Sequence, residues 1–288
     1  MMPTLLTFGH GYSAAALTRR LVPEGWRVIG TTREEAGCSR VAEAGAEPLV
    51  WPGGDIAPAL AEATHLLISA GPDEAGDPVL NPLGPQIAEK APELAWAGYL
   101  STTGVYGDHG GDWVTEETPL RPATRRGEMR VAAEEAWATV PGLSPHIFRL
   151  AGIYGPGRGP FAKLRSGKAR RIVKPGQVFS RIHVEDIAQV LVASLARPNP
   201  GRAYNVCDDD PAPPQEVIAY AADLLGMAPP PEEPLETADL SPMARSFYAE
   251  SKRVSNARIK EELGVSLLYS DYHSGLKQVL QDEASAEP

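Results

Sequence analysis

A glycine-rich turn near the start of the chain has the residue types and spacing that hold a phosphate group. The run 9–14, GHGYSA, fits the pattern G-x-G-x-x-G/A, follows the apolar run 4–9 and opens a stretch with helical spacing at 12–22. The glycines permit a tight turn and a close approach of pyrophosphate, and the amides at the helix start face the phosphates. The predicted cofactor-binding residues are Gly9, His10, Gly11, Tyr12, Ser13 and Ala14. We interpret this turn as a dinucleotide-binding site; the alternative is a glycine turn that binds no ligand.

The end of the second predicted strand, 26–33, bears on which dinucleotide would bind. NAD-binding proteins usually place an acidic residue there, which accepts a hydrogen bond from the ribose 2′-hydroxyl. This chain has Thr32 and Arg33, and the guanidinium of Arg33 can pair with a 2′-phosphate. Glu34 and Glu35 follow and could take the acidic role if the turn is longer. The sequence therefore favours NADP over NAD, with a solvated loop arginine as the alternative.

Apolar runs alternate with helical stretches over the first half of the chain. The predicted strands span 4–9, 26–33, 47–51, 65–71, 97–104 and 145–155, and the helical stretches include 12–22, 57–63 and 127–140. The runs are apolar continuously rather than at every second residue, which fits strands buried on both faces. This pattern predicts an α/β fold with a doubly wound parallel sheet.

The regular alternation ends near Gly155, where a segment rich in glycine, proline and arginine begins. We predict a nucleotide-binding domain from 1–156 together with about 178–213. A smaller substrate-binding lobe is predicted from 157–177 together with 214–288, with an irregular tail from 281.

Composition limits the classes of partner. The 288 residues carry a formal net charge of -10, which repels nucleic acid and anionic membranes. Cys38 and Cys207 lie far apart and form no paired motif, so we expect neither a disulfide framework nor a metal site. The chain shows no secretion signal and no apolar run of about 18 residues, so we expect a cytoplasmic protein without a membrane span.

Several stretches resemble, in order, the extended short-chain dehydrogenase/reductase group, especially nucleotide-sugar epimerases and dehydratases and their atypical relatives. They are GHGYSA (9–14), Asp55-Ile56 after the third strand, YLSTTGVYGD (99–108), TEETPLRP (115–122), FRLAGIYGPGRG (148–159), SRIHVEDIA (180–188), YNVCDD (204–209) and SNARIKEELG (255–264). The resemblance implies a Rossmann-type fold, an NAD(P) cofactor and a small-molecule substrate such as a nucleotide sugar. It also implies a possible homodimer, formed through the helix at 127–140.

The resemblance further implies roles for individual residues. A pair after the third strand contacts the adenine, the end of the fourth strand lines the cofactor, and a hydroxyl after the fifth strand bonds a substrate oxygen. One tyrosine lies near the nicotinamide, and two residues border the substrate cleft. In that order these residues are Asp55 and Ile56, Ser69 and Ala70, Thr102, Tyr154, and Arg181 and His183.

The chain departs from the family at the pair that handles protons. Where the family has a tyrosine and, one helical turn later, a lysine, this sequence has Arg126 and Arg130. Arginine stays protonated and has no acceptor lone pair, so Arg126 cannot act as a general base. Arg130 can still donate to ribose hydroxyls, through a planar fork rather than a compact ammonium.

Three outcomes are open for this atypical site. In the first, the acid–base group is displaced, with Tyr106, Tyr154 and His183 as candidates and Tyr106 the nearest to Thr102. Alternatively, Arg126 binds an anionic substrate whose chemistry needs little proton transfer from the protein. In the third case the protein is a non-catalytic regulator or redox sensor that binds the dinucleotide without turnover.

Overall fold

The computed structural model describes residues 2–286, and it has a seven-stranded parallel sheet at its centre. The strands are β1 (Thr4–Phe8), β2 (Arg27–Thr32), β3 (Glu47–Val50), β4 (His65–Ile68), β5 (Trp96–Thr102), β6 (Trp113–Val114), β7 (His146–Leu150), β8 (Gly152–Tyr154), β9 (Arg171–Val173), β10 (Arg181–His183), β11 (Ala203–Val206), β12 (Glu232–Pro234) and β13 (Arg253–Val254). The central sheet has the order β11-β7-β5-β4-β1-β2-β3.

Helices cover both faces of this sheet. The helices of the described chain are α1 (Tyr12–Leu21), α2 (Cys38–Glu43), α3 (Ala57–Glu62), α4 (Leu80–Lys90), α5 (Arg125–Ala138), α6 (Phe161–Arg165), α7 (Val184–Ala196), α8 (Pro214–Leu224), α9 (Pro242–Ser246), α10 (Ala257–Glu261) and α11 (Tyr272–Ala286). Apolar residues of α1, α2 and α7 form one core with the sheet, and those of α3, α4 and α5 form the other. The predicted doubly wound parallel sheet is thus confirmed.

The strand order explains why the sheet has a crevice. From β1 the chain runs outward through β2 and β3, and it then returns to β4 on the other side of β1. The loops that follow β1 and β4 therefore leave the sheet in opposite directions, and the space between them is where ligands bind in such sheets.

One predicted strand is two strands in the structure. The run 145–155 forms β7 in the central sheet and β8 outside it, where β8 pairs with β10 in a separate two-stranded sheet. The change occurs at Ala151, whose amide still bonds the carbonyl of Val206, whereas the amide of Gly152 bonds Ser180. The predicted irregular tail is also wrong for residues 281–286, because α11 continues through Ala286; residues 287 and 288 lie outside the described residues.

A smaller apolar cluster lies among α6, α8 and α11 and includes Phe161, Val217 and Leu276. Ile259 and Leu263, at the helix α10, pack instead into the core of the central sheet. The division into two units, with its proposed boundaries, stays a prediction.

Candidate functional site

The turn after β1 is held tightly against the neighbouring strands. Gly9 has a φ of +83°, and a Cβ there would lie 3.0 Å from the amide nitrogen of Ala70, so glycine is needed for both conformation and space. The amide of Gly9 donates to Thr31 Oγ1 at 2.8 Å, and the amide of His10 donates to the Thr31 carbonyl at 2.9 Å. The turn thus brings the predicted residues of the first and fourth strand ends into contact.

The beginning of α1 is open. Gly11 precedes the helix without a side-chain hydrogen bond to its amides, and a Cβ at Gly11 would meet no atom within 4 Å. The first amides of a helix have no partner inside it, and they carry its positive dipole end. Ser13 and Ala14 are buried and seat the helix on the sheet. An anion can therefore approach the amides of this first turn.

The His10 side chain lies beneath the helix rather than in the crevice. Its Nε2 is 2.8 Å from Thr18 Oγ1, and the ring packs against Gly30, where a Cβ would lie 2.7 Å away. Because the Thr18 hydroxyl donates to the Ala14 carbonyl, it accepts from His10 Nε2–H. Burial lowers the pKa of His10 to about 4. His10 is therefore neutral, and only its backbone is available to a ligand.

The strand ends beyond β1 carry the residues predicted for the adenosine. Thr32 closes β2, and the side chain of Arg33 is exposed beside it. The carboxylate of Asp55 is exposed and accepts from the amide of Ala57, while Ile56 is buried in the core. Among the described residues, Arg33 has no ion pair.

Arg130 extends from α5 to β5 and to the loop after β4. Its Nη1 donates to the Leu100 carbonyl and, at 3.2 Å, to the Tyr99 hydroxyl. Its Nη2 lies against Gly71, directly after Ser69 and Ala70, at 2.8 Å from where a Cβ would be. The Arg130 guanidinium therefore sits beside the predicted cofactor-lining residues.

Arg126 lies one turn before Arg130 on the same face of α5, but its side chain is exposed. The helix begins with Thr124, whose hydroxyl accepts from the amide of Gly127 at 3.2 Å. A Cβ at Gly127 would lie 2.8 Å from the Gly104 carbonyl, so this glycine lets α5 approach the turn after β5. In that turn Thr102 Oγ1 accepts from the Gly104 amide, which leaves its proton free to donate.

Tyr106 is fully buried, and its hydroxyl belongs to a polar network in the core. Its hydroxyl donates to Asn205 Oδ1 at 2.7 Å and accepts from Arg149 Nη1 at 2.9 Å. Burial raises the pKa of Tyr106. With both hydrogen-bonding roles filled inside the core, its position favours a structural part over proton transfer.

The loop after β8 closes against the first turn of α1. The Tyr12 hydroxyl donates to the Pro156 carbonyl at 2.9 Å, and both Tyr12 and Val184 crowd the place where Gly155 would carry a Cβ. His183 accepts from the Glu185 amide through Nδ1, and burial lowers its pKa to about 4. Tyr154 packs edge-on against His183, and its own hydroxyl points to the Asp271 carbonyl, 3.4 Å away.

Arg181 was predicted beside His183 in the substrate cleft. In the structure its guanidinium donates hydrogen bonds to two backbone carbonyls. Its Nη1 donates to the carbonyls of Phe179 and Ala212 at 2.8 and 3.0 Å. Because successive strand residues point to opposite faces, Arg181 and His183 share a face of β10.

A buried ion pair at the sheet was missed from the sequence. Glu134 on α5 pairs with Arg149 on β7 at 2.8 Å, and Ser101 also donates to Glu134. Both partners are almost fully buried. The sequence signal for it was Arg149, a charged residue inside the apolar run HIFRL (146–150). A charge buried in a strand requires a partner, so this residue predicts an acidic group nearby.

Similarity to known proteins agrees with this geometry. Residues 96–207, from β5 to just beyond β11, match the model of the NAD dependent epimerase/dehydratase family. Over this segment the chain is similar to that family. The predicted resemblance to nucleotide-sugar epimerases and dehydratases is thus confirmed, and the family description includes dependence on a nicotinamide dinucleotide.

Three relatives cover nearly the whole chain. A functionally unknown conserved protein from Silicibacter pomeroyi is 62% identical, with a TM-score of 0.95 over 98% of this chain and 99% of that one. Protein YeeZ of Escherichia coli K12 is 29% identical over 94% of this chain and 97% of its own. Human epimerase family protein SDR39U1, solved with NADPH, is 19% identical, with a TM-score of 0.73 over 98% of this chain and all of that one.

Two kinds of feature are absent from residues 2–286. No helix there is long and apolar enough to cross a membrane. No group of three or more histidine, cysteine, aspartate or glutamate side chains in that range could hold a metal ion.

Proposed function

We propose that this protein binds a nicotinamide dinucleotide, preferably NADP, in the crevice between β1 and β4, and acts on a small molecule at an atypical epimerase/dehydratase site. The observation that carries the proposal is the Gly9–Gly11 turn, which presents the open start of α1. Gly9 fits where a side chain would not, and the space over Gly11 is free. These two properties are what a pyrophosphate needs.

Arg130 and Arg33 support the two ends of the dinucleotide. Arg130 lies beside Gly71 at the predicted nicotinamide end, where its free N–H groups can donate to ribose hydroxyls. Arg33 is exposed at the end of β2, where a 2′-phosphate would lie, and it has no acidic partner among the described residues. Its planar fork suits a phosphate, which supports NADP over NAD.

For substrate chemistry, Thr102 is the proposed hydroxyl donor to a substrate oxygen, and the exposed Arg126 is the proposed contact for an anionic group. Neither supplies a general base. The protein therefore orients and binds the substrate, while the dinucleotide would supply hydride chemistry when bound.

A second candidate function is a regulator that binds the dinucleotide without turnover. It is favoured by the burial and hydrogen bonding of the two tyrosine hydroxyls near the strand ends. The hydroxyl of Tyr106 is engaged on both sides in the core, and that of Tyr154 is buried with a raised pKa. Neither is poised to exchange a proton with a ligand in the crevice.

The test is a fluorescence titration with NADPH. We expect micromolar or tighter binding by the wild type and a loss of at least about 100-fold in Gly11→Val, because the added side chain fills the phosphate position. Gly11 has an ordinary backbone conformation and free space, so the thermal unfolding of the variant should match the wild type. Equal NADPH affinity of the wild type and Gly11→Val would reject a phosphate-binding role for the Gly9–Gly11 turn.

Turnover separates the two candidates. Wild-type protein with NADP is incubated with a panel of nucleotide sugars and small alcohols, and Thr102→Ala serves as the matched variant. Turnover that falls in Thr102→Ala supports the enzyme. Tight NADPH binding with no turnover on any substrate supports the regulator.

A further inference from the structure

A cavity of about 160 Å³ lies outside the central sheet, between the loop after β8, the strand β10 and the helices α8 and α11. Its polar lining is Tyr154, Arg158, Arg181 and Tyr272, and its apolar wall includes Val217 and Leu276. No lining residue is acidic within the described part of the chain. The cavity therefore has a positive lining without a built-in counter-charge.

Arg181 presents a free edge to this cavity. Its Nη1 is held by the carbonyls of Phe179 and Ala212, which fixes the plane of the guanidinium. Over residues 2–286, Nε and Nη2 bond no acceptor, and no carboxylate lies within 4 Å of the group. An Nε–H and an Nη2–H side by side form the fork that binds two oxygens of one oxyanion.

Asp208, the acid with the largest electrostatic influence on Arg181, compensates this charge poorly. Asp208 is buried, and its Oδ2 has no hydrogen-bond partner among the described residues. Burial raises the pKa of Asp208 well above its usual range, despite the attraction of Arg181. Arg181 thus holds a charge that the fold itself leaves largely unpaired, which costs free energy unless a ligand supplies the counter-ion.

Two further donors complete the lining. The Arg158 guanidinium is exposed at the cavity and lies 5.8 Å from the centre of the Tyr12 ring. Tyr272 is 5% exposed, and its hydroxyl has no acceptor among the described residues. By contrast, the Tyr154 hydroxyl is directed to the Asp271 carbonyl. The available donors are therefore Arg181, Arg158 and Tyr272.

The size of the cavity limits the ligand. A water molecule takes about 30 Å³ in the liquid, so the volume corresponds to a few waters. It is smaller than the roughly 300–1,000 Å³ of pockets that enclose a drug-sized molecule. A phosphate or a small carboxylate fits such a space, whereas a complete nucleotide does not.

We propose that this cavity is a binding site for an oxyanion group, a carboxylate or a phosphate, which pairs with the free edge of Arg181 and is closed by Arg158 and Tyr272. The site deepens the proposed function and rests on it in one respect, because its lining includes Arg181, predicted at the substrate cleft, and Tyr154, predicted near the nicotinamide. None of its lining residues belongs to the 9–14 turn, so the two sites can be tested separately. The anion is either a free ion or the charged group of a larger ligand that extends past Arg158.

The experiment is titration calorimetry with inorganic phosphate and, separately, with acetate, at constant ionic strength. Because the start of α1 is itself a proposed phosphate site, all measurements use the Gly11→Val protein. We expect at least one of the two anions to bind, and Arg181→Gln to weaken that binding by about tenfold or more. Lys277→Gln is the matched control, because it removes one exposed positive charge from α11, the helix that carries Tyr272.

Arg158→Gln is the second variant. Because the Arg158 side chain is exposed, this substitution should leave the fold intact, and it keeps the test possible if Arg181→Gln does not fold. It should also weaken anion binding, by about three- to tenfold. Absence of binding of both anions to the Gly11→Val protein overturns the site, and so does equal affinity in Lys277→Gln and both arginine variants. NADPH titration of Arg181→Gln with an intact Gly11 distinguishes the two proposals, since we expect dinucleotide affinity to be kept there.

Discussion

Arginine replaces one member of the family's proton-handling pair well and the other badly. A lysine that holds ribose hydroxyls acts as a donor, and Arg130 can donate from the same face of α5 while its Nη1 anchors it to Leu100. A tyrosine that exchanges a proton must both give and accept it, which the guanidinium of Arg126 cannot do. In the proposed site, Arg130 can therefore still donate to the cofactor, whereas Arg126 cannot supply the acid–base group.

This difference predicts unequal effects on cofactor affinity. Arg130→Ala should weaken NADPH binding by about tenfold, because it removes charged donors beside Gly71. Arg126→Ala should change NADPH affinity by less than about twofold, because its exposed side chain lies a turn further from that position. Fluorescence titration measures both; a larger effect at Arg126 would contradict the placement of the ribose beside Arg130.

Cofactor choice is also decided by single residues. Arg33→Gln should lower the affinity for NADPH by about tenfold while leaving that for NADH nearly unchanged, because a charge-assisted pair with the 2′-phosphate is lost. The same substitution at the exposed Arg121 is the control for net charge. The ratio of the two dissociation constants is the measurement, and a ratio that Arg33→Gln does not change would reject the preference for NADP.

At the scale of elements, three contacts fix α5 beside the crevice. The Thr124 hydroxyl caps its start, and Gly127 lets it approach the turn at Gly104. Nearer its end, Glu134 bonds Arg149 on β7 in the core. Arg126 and Arg130 keep their places because this helix is held at several points, whatever side chains it presents.

The buried ion pair of Glu134 and Arg149 should contribute a large part of the stability that holds α5 in place. Glu134→Ala should lower the free energy of unfolding by about 3–5 kcal/mol, because Arg149 is left charged and unpaired inside the core. Glu128→Ala removes an exposed pair with Arg125 on the same helix and should cost less than about 1 kcal/mol. Urea unfolding measures both.

A double variant, Glu134→Ala with Arg149→Met, checks the cause. It should lose less stability than the sum of the two single variants, because no charge is then stranded. Additive losses would mean that the pair contributes packing rather than charge compensation.

At the scale of the whole molecule, buried histidines link folding to pH. Burial lowers the pKa values of His10, His65 and His183 to about 4, against 6.5 when unfolded. Each stays neutral in the folded protein while the unfolded chain takes up a proton. Their contribution to stability is therefore full above pH 6.5 and is lost as the pH falls toward 4.

Two carboxyls act in the opposite sense. Burial raises the pKa values of Asp186 and Asp208 to about 6 and about 8, so the folded protein keeps protons there that the unfolded chain releases. Their contribution is full below the ordinary pKa of 3.8 and is lost as the pH rises through those values. The two sets partly cancel between pH 4 and 6.5, so the net acid sensitivity is smaller than the histidines alone would give.

The His10→Gln variant isolates the contribution of one histidine to the pH dependence of stability. Its amide can keep a hydrogen bond to Thr18, and the variant takes up no proton on unfolding at this position. Between pH 6.5 and 4 the free energy of unfolding should fall less steeply than in the wild type, by about 1 kcal/mol per pH unit. Urea unfolding at pH 7 and pH 5 tests this, and parallel pH profiles for the two proteins would show that His10 does not bind its proton mainly in the unfolded state.

The sequence by itself determined the sheet and the glycine turn. Both depend on neighbours along the chain: continuous apolar runs fix buried strands, and G-x-G before a helix fixes the tight turn. The register of Arg126 and Arg130 on one helix face was equally local, because it follows from the helical repeat.

Only the tertiary structure decided which side chains face the crevice. Tyr106 lies next to the predicted site in sequence, yet its hydroxyl bonds Asn205 and Arg149 from distant strands. The cavity at Arg181 likewise combines segments that no spacing relates. Such contacts depend on how strands and helices pack, and the free energy of burying a polar group is set by partners that the local sequence does not contain.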